Sequence, residues 1–183
     1  MAPSARESSH TRSFAGRARI REKVGIFKGV MGGEWRMSVE LPFAPIDSVI
    51  RRNAGDLRVS AEAAEELARR IQDRGAALAV EAAERATEDG RKTLMAEDFG
   101  VEPGDKDDLE LPIAPVDRIA RLEIDDRYRV SMDARVALAR RLERFADTVA
   151  AAAAVLARHA ARRTVKGEDV DVYFELMPYY EEM

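Results

Sequence analysis

Apolar residues fall along this chain in a short, long, short rhythm that occurs twice. Ile46, Val49 and Ile50 recur at helical spacing over about ten residues, and Gly55 ends that run. The segment Leu41-Pro42-Phe43-Ala44-Pro45 leads in as extended chain, with Pro45 suited to a first helical turn. Asp56-Leu57-Arg58-Val59 reads as a loop, Ser60 as an N-cap, and Glu62 as an acidic first-turn residue that favours the helix dipole. From there to about Thr87 the pattern predicts one long helix. Ala64, Leu67, Ala68, Ile71, Gly75, Leu78, Ala82 and Ala86 share its apolar face. About 28 residues at 1.5 Å each make a rod of roughly 42 Å. Gly90 ends the rod, Leu94-Met95 is a brief extended loop, and Gly100 and Pro103 cut short a third helix begun at Ala96–Phe99.

The second round repeats the plan. Val116, Ile119 and Ala120 lie on a short helix. Ser131 caps a long one, whose stripe is Val136 or Ala139, then Leu138, Leu142, Phe145, Val149, Ala152, Ala153 and Leu156. A third helix runs from about Gly167 to Leu176 and is expected to stop at Pro178. The wording repeats as well. ELPFAPID (40–47) returns as ELPIAPVD (110–117), RVS (58–60) as RVS (129–131), and RKTLMAED (91–98) as RRTVKGED (162–169). The offset grows from seventy to seventy-one because the second copy has one more residue before RVS. This is a tandem duplication. The expected division is a basic extension over 1–36, a first unit over 37–104 and a second over 105–183, with GDKDD (104–108) as a charged linker. A rod with one apolar stripe and two short helices cannot enclose a core alone. Two such units can, by crossing their long helices and clasping each other with the short ones.

Composition agrees with an all-α body. Aromatics are 6% of the chain and alanine is abundant, so the core must be built of small and aliphatic side chains at close packing. Cysteine is absent, which excludes disulfides and cysteine-ligated zinc or iron–sulfur sites. No apolar run is long enough to span a membrane, and the first thirty residues lack the apolar core of a signal peptide; the expected location is the cytoplasm. Charge is uneven. Residues 1–36 hold eight Arg/Lys and three Asp/Glu, a net of +5, so the remainder carries −9 of a chain total of −4. Arginine outnumbers lysine five to one. An acidic, alanine-rich surface of this kind fits a protein that works in concentrated salt.

Short–long–short helices with ELPxAPxxRI leading in, RVS before the long helix and RKTxxAED after it resemble the archaeal histones, twice and in order across nearly all of 40–176. The fused, acidic pair is similar to the histone doublets of halophilic archaea. The resemblance implies two tandem histone folds joined in an intrachain handshake pseudo-dimer, and a chromosome-associated protein of the nucleoid that binds and bends double-stranded DNA with little sequence preference. It places DNA-binding roles on the loop arginines Arg58 and Arg129, which in the family enter a minor groove. It places them also on Arg91, Lys92 and Thr93, on Arg162, Arg163, Thr164 and Lys166, and on first-helix Arg51, Arg118 and Arg121. Ser48 stands where the family usually has an arginine, matched here only by Arg118. The handshake would set Arg58 near Thr164 and Arg129 near Thr93, the threonine hydroxyls holding the arginine planes. Arg91 with Asp98, and Arg162 with Asp169, would fix the second loops. His159, acting with Asp169, resembles a histidine through which family dimers stack; Glu88 replaces it in the first copy. Self-association would then be one-ended, giving at most a dimer of doublets. The DNA chemistry stands on its own footing, because histone-type binding needs cations and backbone N–H groups spaced along a curve and no base contacts.

No catalytic constellation, cofactor motif or metal set is present: the chain has two histidines, one of them in the extension, and neither G-x-x-x-x-G-K-[ST] nor G-x-G-x-x-G. The rival reading is a histone-fold transcription regulator that works through contacts with transcription proteins, which the acidity favours. Residues 1–36 admit three readings. Met37 resembles a natural start, so the extension can be a misassigned start; it can be a disordered basic tail on the DNA backbone; or Phe14, Arg17, Ile20, Val24 and Phe27 can form a basic amphipathic helix. The acidity itself generates a test. Screening should relieve repulsion among the acidic faces, so the thermal unfolding midpoint should rise steadily from dilute buffer to molar potassium chloride. A midpoint independent of salt would remove the case for adaptation to concentrated salt.

Overall fold

The computed structural model describes residues 38–101 and 108–181; the 1–36 extension and most of the GDKDD linker lie outside them. The elements follow the duplicated pattern. Helix α1 spans Phe43–Ala54, strand β1 Arg58–Val59, helix α2 Ala61–Glu88 and strand β2 Thr93–Leu94, followed by a 3-10 turn at Ala96–Phe99. Helix α3 spans Ile113–Ala120, β3 Arg129–Val130, α4 Met132–His159, β4 Thr164–Val165 and α5 Gly167–Glu181.

Local chemistry explains the boundaries. Ser60 Oγ accepts from the Ala63 N–H at 3.2 Å and Ser131 Oγ from the Ala134 N–H at 3.1 Å, so the same cap starts both long helices. Gly55 and Gly90 take positive φ (66° and 71°) where α1 and α2 end. In the second copy Ala161 occupies the place of Gly90 with φ 56°, a conformation that a Cβ disfavours. One expectation is corrected here. Pro178 does not stop the last helix, which continues to Glu181. The proline sits within the final turn, so few intrahelical bonds lie beyond the one its missing N–H forfeits.

The core joins both copies. Of the α2 stripe, Leu67, Ile71 and Leu78 are fully buried, as are Leu138, Leu142 and Val149 of α4. Phe145, Ala152 and Leu156, expected in that stripe, are only half-buried. Each short helix covers the other copy's rod: α1 packs on α4, α3 on α2, and α5 on α2 as well as on its own α4. Polar groups fix the crossing. Arg52 of α1 reaches Glu143 at 3.1 Å and Asp147 at 2.8 Å on α4, and Asn53 Nδ2 donates to the same Asp147 at 2.7 Å. The lead-in segments are held alike, by Glu40 N–H to Gln72 Oε1 (2.9 Å) and Glu110 N–H to Glu143 Oε1 (3.2 Å).

Gly75 marks the tightest approach. A Cβ there would lie 2.6 Å from Ile119 Cγ2 and 3.1 Å from Leu142 Cδ1, both on fully buried residues of the second copy. Helix propensity alone would make Gly75→Ala stabilising by about 1 kcal/mol. Overpacking costs about 1–3 kcal/mol and should win. Urea denaturation should therefore show a lower midpoint for the variant; a higher one would mean that the two copies are less closely pressed together.

Candidate nucleic-acid interface

Four two-residue strands carry the candidate site. β1 pairs in parallel with β4, setting Arg58 opposite Thr164, and β2 pairs in parallel with β3, setting Thr93 opposite Arg129. Each pair joins the first loop of one copy to the second loop of the other. Backbone bonds hold them: Arg58 N–H to Arg163 O (2.9 Å), Ser60 N–H to Val165 O (3.0 Å), Arg129 N–H to Lys92 O (2.9 Å) and Ser131 N–H to Leu94 O (3.1 Å). Val165 and Leu94 are fully buried and Val130 nearly so, so this face of the ladders plugs the ends of the core. Side-chain alternation then turns Arg58 and Arg129 to solvent.

The threonine hydroxyls do not play the part expected of them. Among the described residues neither Thr93 nor Thr164 makes a side-chain hydrogen bond to Arg58 or Arg129; the main-chain ladder alone sets their register. The loop locks do form. Arg91 grips Asp98 with two bonds (2.7 and 2.9 Å), donates to Thr93 O at 2.9 Å and also reaches Asp89 at 2.8 Å. Asp98 is buried and accepts from the Met95 N–H at 2.7 Å. In the second copy Arg162 bonds Asp169 and Glu168, and Asp169 accepts from the Lys166 N–H at 2.9 Å. Asp169 is 2% exposed with both oxygens engaged, whereas His159 is exposed at the end of α4.

The first-helix candidates are paired with carboxylates. Arg51 meets Asp47 at 2.5 Å, Arg121 meets Asp117 at 3.1 Å, and Arg118 meets Glu40 at 2.5 Å. Arg58, Lys92, Arg129, Arg163 and Lys166 are exposed. Of these, only Lys166 has an ion-pair partner among the described residues, Glu168 at 3.7 Å. Sequence reasoning missed the arginines that brace the edge. Arg158 Nη2 donates to Ala54 O at 2.7 Å, closing the end of α1 beside Gly55, and Arg141 Nη1 donates to Phe99 O at 2.6 Å. It also missed Tyr128, which is buried with its hydroxyl 2.6 Å from Thr87 Oγ1. That hydrogen bond is the main reason its phenol lies below the ordinary range, and Arg127 helps. No period or motif announced these residues, since their partners are backbone atoms or side chains of the other copy.

Two helical triplets clasped through crossed rods, with short parallel ladders and loop cations at both ends, define a pair of tandem histone folds. The chain belongs to the family described as histone-like transcription factor (CBF/NF-Y) and archaeal histone, which matches residues 39–100 and again 109–172. It is 54% identical over 61 residues to an archaeal histone of Thermococcus zilligii, HAN1, a match that spans 33% of this chain and 88% of that protein. The crystal structure of the histone from Methanopyrus kandleri matches with a TM-score of 0.57 at 29% identity, over 71% of this chain and 90% of that one. A protein from Thermus thermophilus shares the fold at 16% identity, with a TM-score of 0.59 over 76% of this chain and 98% of that one.

The electrostatics of the braces predict an acid limit. Burial alone would raise the Asp98 carboxyl, but the Arg91 guanidinium and the Met95 N–H override it and hold the group below the usual range. Asp147 behaves likewise, with Arg52 and Asn53 outweighing burial. Both are lowered in the folded state, so their contribution is complete above the unfolded value of about 4 and disappears as pH falls through the folded values beneath it. Chemical denaturation should give Asp98→Asn a loss of about 1–3 kcal/mol at pH 7 that shrinks toward pH 2. A loss unchanged across that range would show that the carboxylate's charge is not what the loop uses.

Proposed function

We propose that this chain is a DNA-binding architectural protein of the archaeal chromosome, a histone doublet whose single chain supplies both halves of the pseudo-dimer, with units at about 37–104 and 105–183. The observation that carries the reading is the cross-copy ladder pairing, which puts exposed Arg58 and Arg129 at matching places on one pseudo-symmetric body. Lys92, Thr93, Arg163, Thr164 and Lys166 surround them and would meet phosphates, while Arg91 and Arg162, locked to Asp98 and Asp169, shape the loops. Arg51, Arg118 and Arg121 would have to exchange their carboxylate partners for phosphate, so they contribute less. Binding of this kind reads the backbone and the groove potential, so sequence preference is low and bending follows from where the cations sit. The acidic remainder and the arginine bias support a halophilic setting. No helix among the described residues is long and apolar enough to cross a membrane. The rival reading, regulation of transcription through protein contacts, draws on the same acidity but gives no account of loop cations kept in both copies.

Doublets associate through the second copy only. Between α4 and α5 lies an apolar hollow of about 450 Å³ lined by Ala152, Val155, Leu156, Leu176, Met177 and Tyr180 among others, with Val155 and Tyr180 well exposed. The first copy has Glu81, Glu84 and Arg85 at the positions of Ala152, Val155 and Leu156, and, among the described residues, a 3-10 turn in place of α5. The same end presents His159.

Gel shifts on unrelated duplexes test the main reading. Arg58→Ala with Arg129→Ala should weaken binding to every sequence by a similar factor and flatten the salt dependence. Loss confined to one sequence would mean base readout. In sedimentation, wild type should reach a dimer of doublets and stop there, and Val155→Glu should keep it monomeric.

A further inference from the structure

The two ends of the loop edge share geometry but not charge. One end joins 53–59 of the first copy to 158–169 of the second through β1 and β4; the other joins 123–130 to 87–98 through β2 and β3. The first end holds five Arg/Lys and three Asp/Glu, a net of +2. The second holds four and seven, a net of −3. The loop arginines, threonines and Arg–Asp locks match position for position, so the difference lies in the residues around them. Lys166 of the first end stands where the second has Met95, and Arg158 where it has Thr87. Ala160 is answered by Asp89, Gly55 by Asp125, and Asn53 by Glu123.

At both ends the lock arginine is spent on carboxylates, Arg162 on Glu168 and Asp169 at the first. At the first end Arg58 and Arg163 are exposed and have no ion-pair partner among the described residues. At the second, Arg91 is enclosed by Asp89, Glu97 and Asp98 at 2.7–3.4 Å. Arg127 lies over the Tyr128 ring, 5.0 Å from its centroid, and donates to its hydroxyl at 3.1 Å. Lys92 and Arg129 remain, within four residues along the chain of exposed Glu88, Asp125 and Asp126, which have no salt bridge among the described residues.

We propose that the chain holds a duplex by one end: the Arg58–Thr164 end is the anchor, and the Arg129–Thr93 end is held off by its own carboxylates until salt screens them. This rests on the DNA-binding reading above. Fields of a few charges act over roughly 10 Å at 0.1 M salt and much less at molar salt. The local balance, not the total, decides what a phosphate meets at each end. Salt therefore acts on the two ends in opposite directions. It weakens the anchor by reducing the gain from counterion release, and it removes the repulsion at the far end. At low salt the duplex is gripped at one place; as salt rises the contact spreads along the edge.

The experiment compares full-length variants on a random-sequence duplex across a potassium chloride series, each checked for an unchanged melting temperature. Arg58→Ala with Arg163→Ala should cost roughly tenfold or more in affinity at low salt and lower the salt slope by about two. Arg129→Ala with Lys92→Ala should cost less than about threefold there. Glu88→Gln with Glu123→Gln and Asp126→Asn should tighten binding and steepen the salt slope. Equal losses from the two arginine-containing pairs, or no gain from the neutralised variant, would overturn the one-ended grip and leave the DNA reading standing. A wild-type chain that does not shift DNA at any salt, or that is indifferent to both pairs, would overturn the DNA reading itself.

Discussion

Each copy's apolar stripe can be closed only by the other copy, and the rest of the molecule follows from that. Leu67, Ile71 and Leu78 on one rod and Leu138, Leu142 and Val149 on the other are all fully buried, in a single core to which both copies contribute. Burying such a side chain is worth about 1.5–3 kcal/mol, and a lone unit with two short helices lacks the surface to do it. Fusing the copies makes the encounter intramolecular, so a pairing that would otherwise depend on concentration is built into the chain.

That union also makes the site. The loops are too short to order themselves: β1 and β4, like β2 and β3, are two residues each and find partners only across the copies. Once paired, buried Val165, Leu94 and Val130 anchor one face and Arg58 and Arg129 are left on the other. The Arg91–Asp98 and Arg162–Asp169 locks then stiffen the loops from within, each buried carboxylate accepting from both a guanidinium and a backbone N–H. The arginines of this chain thus divide by task. Some are tied to carboxylates or carbonyls and shape the edge, and a few, Arg58 and Arg163 among them, are left for a partner.

Duplication preserved the geometry and let the surfaces diverge. The first copy keeps charged residues at Glu81, Glu84 and Arg85 and a four-residue turn where the second has an apolar face and a fifteen-residue helix. The same divergence gives the loop ends opposite net charge. A symmetric scaffold thereby carries an asymmetric surface, which a homodimer of identical units cannot do.

The number and order of the helices and the length of the two rods were legible in the sequence, because burial along a rod imposes a 3.6-residue period and caps such as Ser60 and Ser131 have few substitutes. The duplication and its spaced motifs were enough to identify the fold and to name the loop residues. Pro178 misleads because a proline's cost depends on how much helix follows it, which composition does not show. The task expected of the Thr93 and Thr164 hydroxyls is performed by the backbone ladder. Arg158 on the Ala54 carbonyl, Arg52 on Asp147 and Tyr128 against Thr87 were invisible, each joining residues of different copies. By itself, then, the sequence determined the elements and the inventory of charge, since both are local properties. Only the tertiary structure decided which cations are spent on internal partners and which two loops share an end, because those follow from how the rods cross.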